Sequence, residues 1–256
     1  MADGIGSSYP NLDSFLGKYL DQNPVPPLYG PNADPSIKSL QFPFIYEPGT
    51  SWQYSCGLVW AGILVERISG TSLDEYMKKN IFDPCAAGSL TFYPTDENRK
   101  HRMTLCSRDE DGQVIPTTDG SWSRPRDMKF CSGGAGLYGT QKDYLAVLRA
   151  VLQSDPKSPH LSSSPLLSPE SFAELFSPSL GNDNKDGPEK IANMVSSGNY
   201  YPARPDNMNH SVGGILNLED REGGRKANSV SWAGVAKSEW WIDHTSGLAV
   251  CPSFWF

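Results

Sequence analysis

From Val212 onward the sequence breaks into four short β-rich runs, Val212 to Leu218, Ser229 to Val235, Glu239 to Asp243 and Leu248 to Phe256, each separated from the next by turn residues. Strands that close together in sequence have no room for a helical crossover, so they pair antiparallel as a meander. The segments before them follow helical spacing. Leu12, Phe15, Leu16 and Tyr19 share one face of a helix between Asn11 and Asn23 that Pro24, Pro26 and Pro27 terminate. Ser72 and Glu75 form a capping box for a helix running toward Ile81. Thr140 and Asp143 open another, with Tyr144, Leu148, Val151 and Leu152 on its inner face, and Ser168 followed by Pro169 starts a third through Phe172, Leu175 and Phe176. Helices in the middle and consecutive strands at the end predict an α+β fold, an antiparallel sheet packed with helices, in one domain over residues 1–256. Residues 84 to 135 read as mixed and turn-rich, and 178 to 210, dominated by Gly, Asn, Asp and Pro, as a long loop.

Composition narrows the function. With 256 residues, 38% of them hydrophobic and 11% aromatic, the chain can bury a sizeable core. A net charge of -7 leaves no basic stripe for nucleic acid or an anionic membrane surface. No apolar run is long enough to span a bilayer, and the first ten residues lack the charged and apolar regions of a secretory signal, so a cytoplasmic protein is expected. The cysteines (Cys56, Cys85, Cys106, Cys131, Cys251) form no C-x-x-C pair, and the histidines (His101, His160, His210, His244) form no H-E-x-x-H. Neither a disulfide framework nor a metal site is expected.

The stretch E-P-G-T-S-W-Q-Y-S-C-G-L-V-W-A-G, residues 47 to 62, places Tyr54 between a Pro-Gly turn and a helix whose apolar series is Leu58, Ala61, Gly62, Val65 and Ile68, closed by Gly70. A positioned base fits there, and so does a packed core tyrosine; the stretch alone leaves both open. Gly134 to Gly139 matches G-x-G-x-x-G, but Lys129 to Ser132 is a poor strand and no parallel frame follows, so a close-packing turn is the better reading than a dinucleotide site. Ser154-Asp155-Pro156-Lys157 matches S-x-x-K, yet it follows a helix end rather than opening a helix. No G-x-S-x-G occurs. Ser231-Trp232-Ala233-Gly234-Val235 puts a glycine in mid-strand, where a ligand or another backbone can approach.

In their order and spacing these segments resemble the serine β-lactamase-like superfamily, specifically the class C-like branch with family VIII carboxylesterases and fungal lovastatin-type acyltransferases. The stretch around Tyr54 is similar to that branch's catalytic-tyrosine element, S-G-G-A-G-L-Y-G-T at 132 to 140 to its G-G-A-G loop, and H-S-V-G-G-I-L-N-L-E-D at 210 to 220 and S-W-A-G-V to its late strands. The resemblance implies a β-lactamase/transpeptidase-like fold. It also implies Tyr54 as a catalytic residue, Trp232, Ala233 and Gly234 in the place of the K-T-G triad, and the Val235 amide as an oxyanion donor. The implied reaction is acyl transfer through an acyl-serine, as esterase or acyltransferase, on a small-molecule acyl ester, with no cofactor and no metal. The alternative is a non-catalytic remnant binding a ligand or partner through the same cleft. In the family the nucleophile is the Ser of an S-x-x-K on a helix upstream of the tyrosine; no such motif precedes Tyr54, and Cys56 stands where the family has asparagine. The resemblance therefore also implies a partial fold, lacking the segment before about Gly4 and a helix after the last strand.

Overall fold

The computed structural model describes residues 14–28, 30, 32–117, 127–197, 204–234 and 238–252. Helix boundaries follow the local chemistry closely. Helix α1 spans Ser14–Gln22. Helix α2, Gly57–Ser69, stops at Gly70, whose φ of 69° lies in the left-handed region and whose N–H reaches the Glu66 carbonyl at 3.0 Å. The capping box at α3 (Leu73–Met77) has both arms: Ser72 Oγ accepts from the Glu75 amide, and the Glu75 carboxylate accepts from the Ser72 amide, each at 3.2 Å. That helix runs on as a π turn, Lys78–Phe82. Within the turn-rich region lie a one-turn helix α4 (Asp96–Lys100) and a hairpin of β1 (Cys106–Arg108) and β2 (Val114–Pro116). Thr140 and Ser168 each accept from the amide three residues on, opening α5 (Gln141–Leu152) and α6 (Pro169–Leu175).

The apolar series on α2 divides between surface and core: Leu58 and Ile68 are exposed, Ile68 by 78%, while Gly62 is buried together with Val59 and Ile63, which lie outside the series. The helix is apolar nearly all round, so periodicity alone could not say which stripe faces inward. Residues 178–210 are not one loop. They contain helix α7, Gly187–Ser197, and strand β3, Met208–His210. The start signal is present as Pro188 near the first turn, and Ile191, Ala192 and Val195 make an apolar stripe. The polar residues flanking the helix on both sides obscure that signal.

The meander prediction holds. Strands β3, β4 (Ile215–Asn217), β5 (Val230–Ala233), β6 (Glu239–Asp243) and β7 (Leu248–Val250) form one antiparallel sheet in sequence order. Both faces of this sheet are covered. Leu216, Val230 and Ile242 pack with Leu148 of α5 and with Phe172 and Phe176 from α6 and its end. Met208 and Ile215 pack with Ile191, Ala192 and Val195 of α7 and with Trp52 from the segment before α2. The G-x-G-x-x-G stretch forms turns without a strand ahead of it. A Cβ on Gly134 would lie 3.2 Å from Val59 Cγ2 of α2, and one on Gly139 would clash with Leu90 Cδ2, so glycine at these positions lets the stretch pack closely, which is the role expected.

The buried face of α2 is testable by paired truncation. Ile63→Ala removes a buried side chain and is expected to cost about 2–5 kcal/mol, whereas Ile68→Ala is expected to stay within about 0.5 kcal/mol of wild type. Urea unfolding midpoints of the two variants measure the difference.

Candidate active site

Glu47, Pro48, Gly49 and Thr50 form a β-turn closed by the Thr50 amide on the Glu47 carbonyl at 3.0 Å. Gly49 has φ of 91°, the left-handed value that the third residue of a type II turn requires after proline. The chain then passes Trp52, which is 3% exposed and lies in the α7 core, and reaches Tyr54 before Ser55 Oγ accepts from the Gly57 amide at the mouth of α2. The Tyr54 ring is half-buried and stacks on Trp232 of β5, with centroids 6.1 Å apart and planes within 7°. A turn, a strand and a helix thus meet at one tyrosine.

His210 at the end of β3 completes the wall. Its ring meets Trp232 edge-on at 5.7 Å and Trp52 at 6.0 Å. Nδ1 lies against the Ser211 carbonyl, an acceptor, which assigns the proton to Nδ1; Nε2 is then the bare nitrogen, buried and without a hydrogen-bond partner among the described residues. Burial pulls the imidazole down to about 4, so it is neutral in the folded protein at neutral pH. Sequence reasoning missed this residue, since His210 forms no ligand motif with the other histidines; the signal that could have found it is the strand ending at the Gly213-Gly214 turn.

The other sequence candidates fall as follows. Trp232 and Ala233 are on β5, paired with Trp240 and Glu239 of β6. The Gly234 amide donates to the Ser238 carbonyl at 2.8 Å, so this N–H is engaged within the β5–β6 connection. Val235, the implied oxyanion donor, lies outside the described residues. Ser154 is spent structurally: its Oγ donates to the Ala150 carbonyl at 2.9 Å and accepts from the Leu167 amide at 3.1 Å, while Lys157 is exposed. Among the described residues no three His, Cys, Asp or Glu side chains gather into a metal-binding group. What is assembled is a phenol against an aromatic wall, beside a strand whose end bears a glycine.

The Beta-lactamase family profile matches residues 21–251, nearly the whole described span. The chain belongs to the Beta-lactamase family. Among curated relatives of this family member, the lovastatin esterase of Penicillium rubens is 29% identical over 255 residues, covering 95% of this chain and 59% of the relative. The monacolin J acid methylbutanoyltransferase of Aspergillus terreus is 28% identical over 97% of this chain and 59% of its own length. The chain therefore spans about three-fifths of these relatives. Of solved structures, unliganded simvastatin synthase from Aspergillus terreus, as a selenomethionyl derivative, superposes with a TM-score of 0.75 at 24% identity, over 98% of this chain and 60% of that one. EstCE1, a hydrolase with promiscuous acyltransferase activity, superposes with a TM-score of 0.63 at 18% identity, over 84% and 54%. These likenesses establish the β-lactamase/transpeptidase-like fold that the motifs implied.

The depressed His210 pKa gives a pH prediction. An unfolded histidine takes its proton near pH 6.5, and the folded one only near 4, so the unfolded state binds more protons between those values. Stability is therefore fully present above about pH 6.5 and falls as pH drops through the window toward 4. Substituting His210→Gln is expected to flatten this part of the profile, read as the wild-type minus variant difference in urea midpoint across the series.

Proposed function

We propose that this chain carries the tyrosine side of a serine esterase or acyltransferase site, which moves an acyl group from a small-molecule ester through an acyl-serine to water or an alcohol. The single observation that carries the proposal is the placement of Tyr54 by the Pro48-Gly49 turn onto Trp232 of the strand that leads to Gly234. In this reading Tyr54 relays the proton of the attacking serine, Trp232 and Ala233 wall the substrate, Gly234 leaves space for the acyl carbonyl, and the Val235 amide donates to its oxyanion. A neutral phenol is a poor base, so the relay needs a cation beside the phenolate. The lysine of an S-x-x-K helix supplies that charge together with the nucleophile. No acceptable S-x-x-K stands in the present sequence, so the activity is assigned to a polypeptide that includes one upstream of Tyr54.

The activities for which the relatives are named, lovastatin esterase and monacolin J acid methylbutanoyltransferase, support an ester of a bulky apolar molecule as substrate. The aromatic surfaces of Trp52, Trp232 and Tyr54 suit such a group. No helix among the described residues is long and apolar enough to cross a membrane. None of the cysteines is in a disulfide, in keeping with the cytoplasmic setting that is part of this proposal. Neither metal nor cofactor enters the scheme.

The test uses two polypeptides. The 256-residue chain is expected to leave a serine-directed fluorophosphonate probe unreacted, and a version extended upstream with an S-x-x-K helix to be labelled stoichiometrically and to hydrolyse p-nitrophenyl esters. In the extended version, Tyr54→Phe is expected to lower turnover about a hundredfold or more with little change in unfolding midpoint. Labelling of a serine in the shorter chain, or wild-type rates from the Tyr54→Phe variant, overturns the assignment; an extended version that binds esters without turning them over favours a non-catalytic ligand-binding role.

A further inference from the structure

Three residues before Tyr54, the chain is fastened to the segment around the start of α7. Ser51, only 7% exposed, donates its hydroxyl to Asp186 Oδ2 at 2.9 Å and accepts from Lys190 Nζ at 2.6 Å. Lys190 and Asp186, one helical turn apart, close the triangle at 2.8 Å. Two residues earlier, Asn184 Nδ2 donates to the Gly49 carbonyl at 3.1 Å, and Lys190 also lies over the Tyr46 ring at 5.9 Å. The turn is thus held at Gly49 and at Ser51, while the intervening chain to Tyr54 carries Trp52 into the apolar face of the same helix.

We propose that Ser51, Asp186 and Lys190 are positioning residues for Tyr54, a charge-assisted clamp that sets the Pro48–Tyr54 segment on α7 and so sets where the Tyr54 ring meets Trp232. The role is geometric. The Asp186–Lys190 pair is substantially exposed, with side-chain exposures of 47% and 39%, and such pairs contribute little to stability by themselves. Hydrogen bonds from a charged group to a largely buried hydroxyl are directional, however, and this one joins positions 139 residues apart in sequence. Burial raises the Asp186 carboxyl, but hydrogen bonds from Lys190 and Ser51 outweigh it and hold the group below its usual range, so it is ionised at neutral pH. Placement matters because an error of about 1 Å at a reacting group can cost about a hundredfold in rate. The inference rests on the reading that Tyr54 serves the site, but its test measures ring position and not chemistry, so the two fail separately.

In the full 256-residue chain, tyrosines are replaced by 3-fluorotyrosine, and the ¹⁹F resonance of Tyr54 is assigned by its loss in Tyr54→Phe. Trp232→Leu provides the unstacked reference. Ser51→Ala and Asp186→Asn are expected to move the Tyr54 resonance most of the way to that reference, or to broaden it, while far-UV circular dichroism stays as in wild type. Lys190→Arg, which keeps the charge and a donor, is expected to hold the wild-type position. Asp220→Asn, which removes the surface partner of Lys226 at 2.8 Å, is expected to leave the resonance unmoved. Should Asp186→Asn fail to fold, Ser51→Ala decides, since it removes one oxygen and leaves the ion pair. The proposal is overturned by a folded Ser51→Ala variant with the wild-type resonance, by Lys190→Arg failing to hold it, or by Asp220→Asn moving it as far.

Discussion

Ile215 and Leu216 are neighbours on β4, and both are buried. Successive side chains of a strand point to opposite faces, so a sheet with two adjacent buried apolar residues in a central strand has to be covered on both sides. Much of the architecture follows from that constraint. Leu216 joins Val230 and Ile242 under α5 and α6, and Ile215 joins Met208 under α7. Burying a leucine or isoleucine side chain stabilises by roughly 1.5–3 kcal/mol relative to leaving it in water, so losing either cover would expose a row of such side chains at once. The α7 side is the one that matters for the site, because the cover there is shared between the helix and the segment carrying Trp52 and Tyr54.

That sharing explains how the surroundings of Tyr54 are built from parts far apart in sequence. Tyr54 does not approach β5 by itself. It is carried there because Trp52, two residues earlier, is a core residue of the α7 layer, and because the Pro48-Gly49 turn directs the chain inward. His210 and Trp232 then supply a wall in which a neutral imidazole and an indole pack edge to face. A charged imidazole would be penalised by this burial, and the carbonyl beside Nδ1 assigns the neutral tautomer. The site's chemistry is accordingly that of an uncharged aromatic wall around one phenol. A phenol of this kind acts on an ester only with a nucleophile and a cation beside it, which is why the family's S-x-x-K carries so much of the proposed mechanism.

Which parts of this were legible beforehand depends on the range of the interaction that sets them. Capping residues Ser72, Thr140 and Ser168 located three helix starts, because a cap is a contact within four residues and is written locally. Four β-rich runs located the meander for a related reason, since short connections leave antiparallel pairing as the available topology. The inward face of α2 was not legible: Leu58 and Ile68 are exposed, and an almost uniformly apolar helix carries no record of which neighbour will cover it. Helix α7 was missed because its stripe of Ile191, Ala192 and Val195 is short and its flanks are polar and glycine-rich.

The sequence by itself determined the α+β class, the caps, the Pro-Gly turn ahead of Tyr54, the family, and the unsuitability of Gly134–Gly139 and Ser154 for chemistry. Each of these depends on residues adjacent in the chain or on a pattern spread along it. Only the tertiary structure decided that Tyr54 stacks on Trp232, that His210 stands beside them with a bare nitrogen, and that Ser51 is held by Asp186 and Lys190. The Ser51 and Tyr54 contacts join residues from 135 to 178 positions apart, and nothing in the local propensity of either partner encodes them. They arise when the sheet is covered on both faces, and packing a helix and a turn against the same strands leaves their side chains one place to meet.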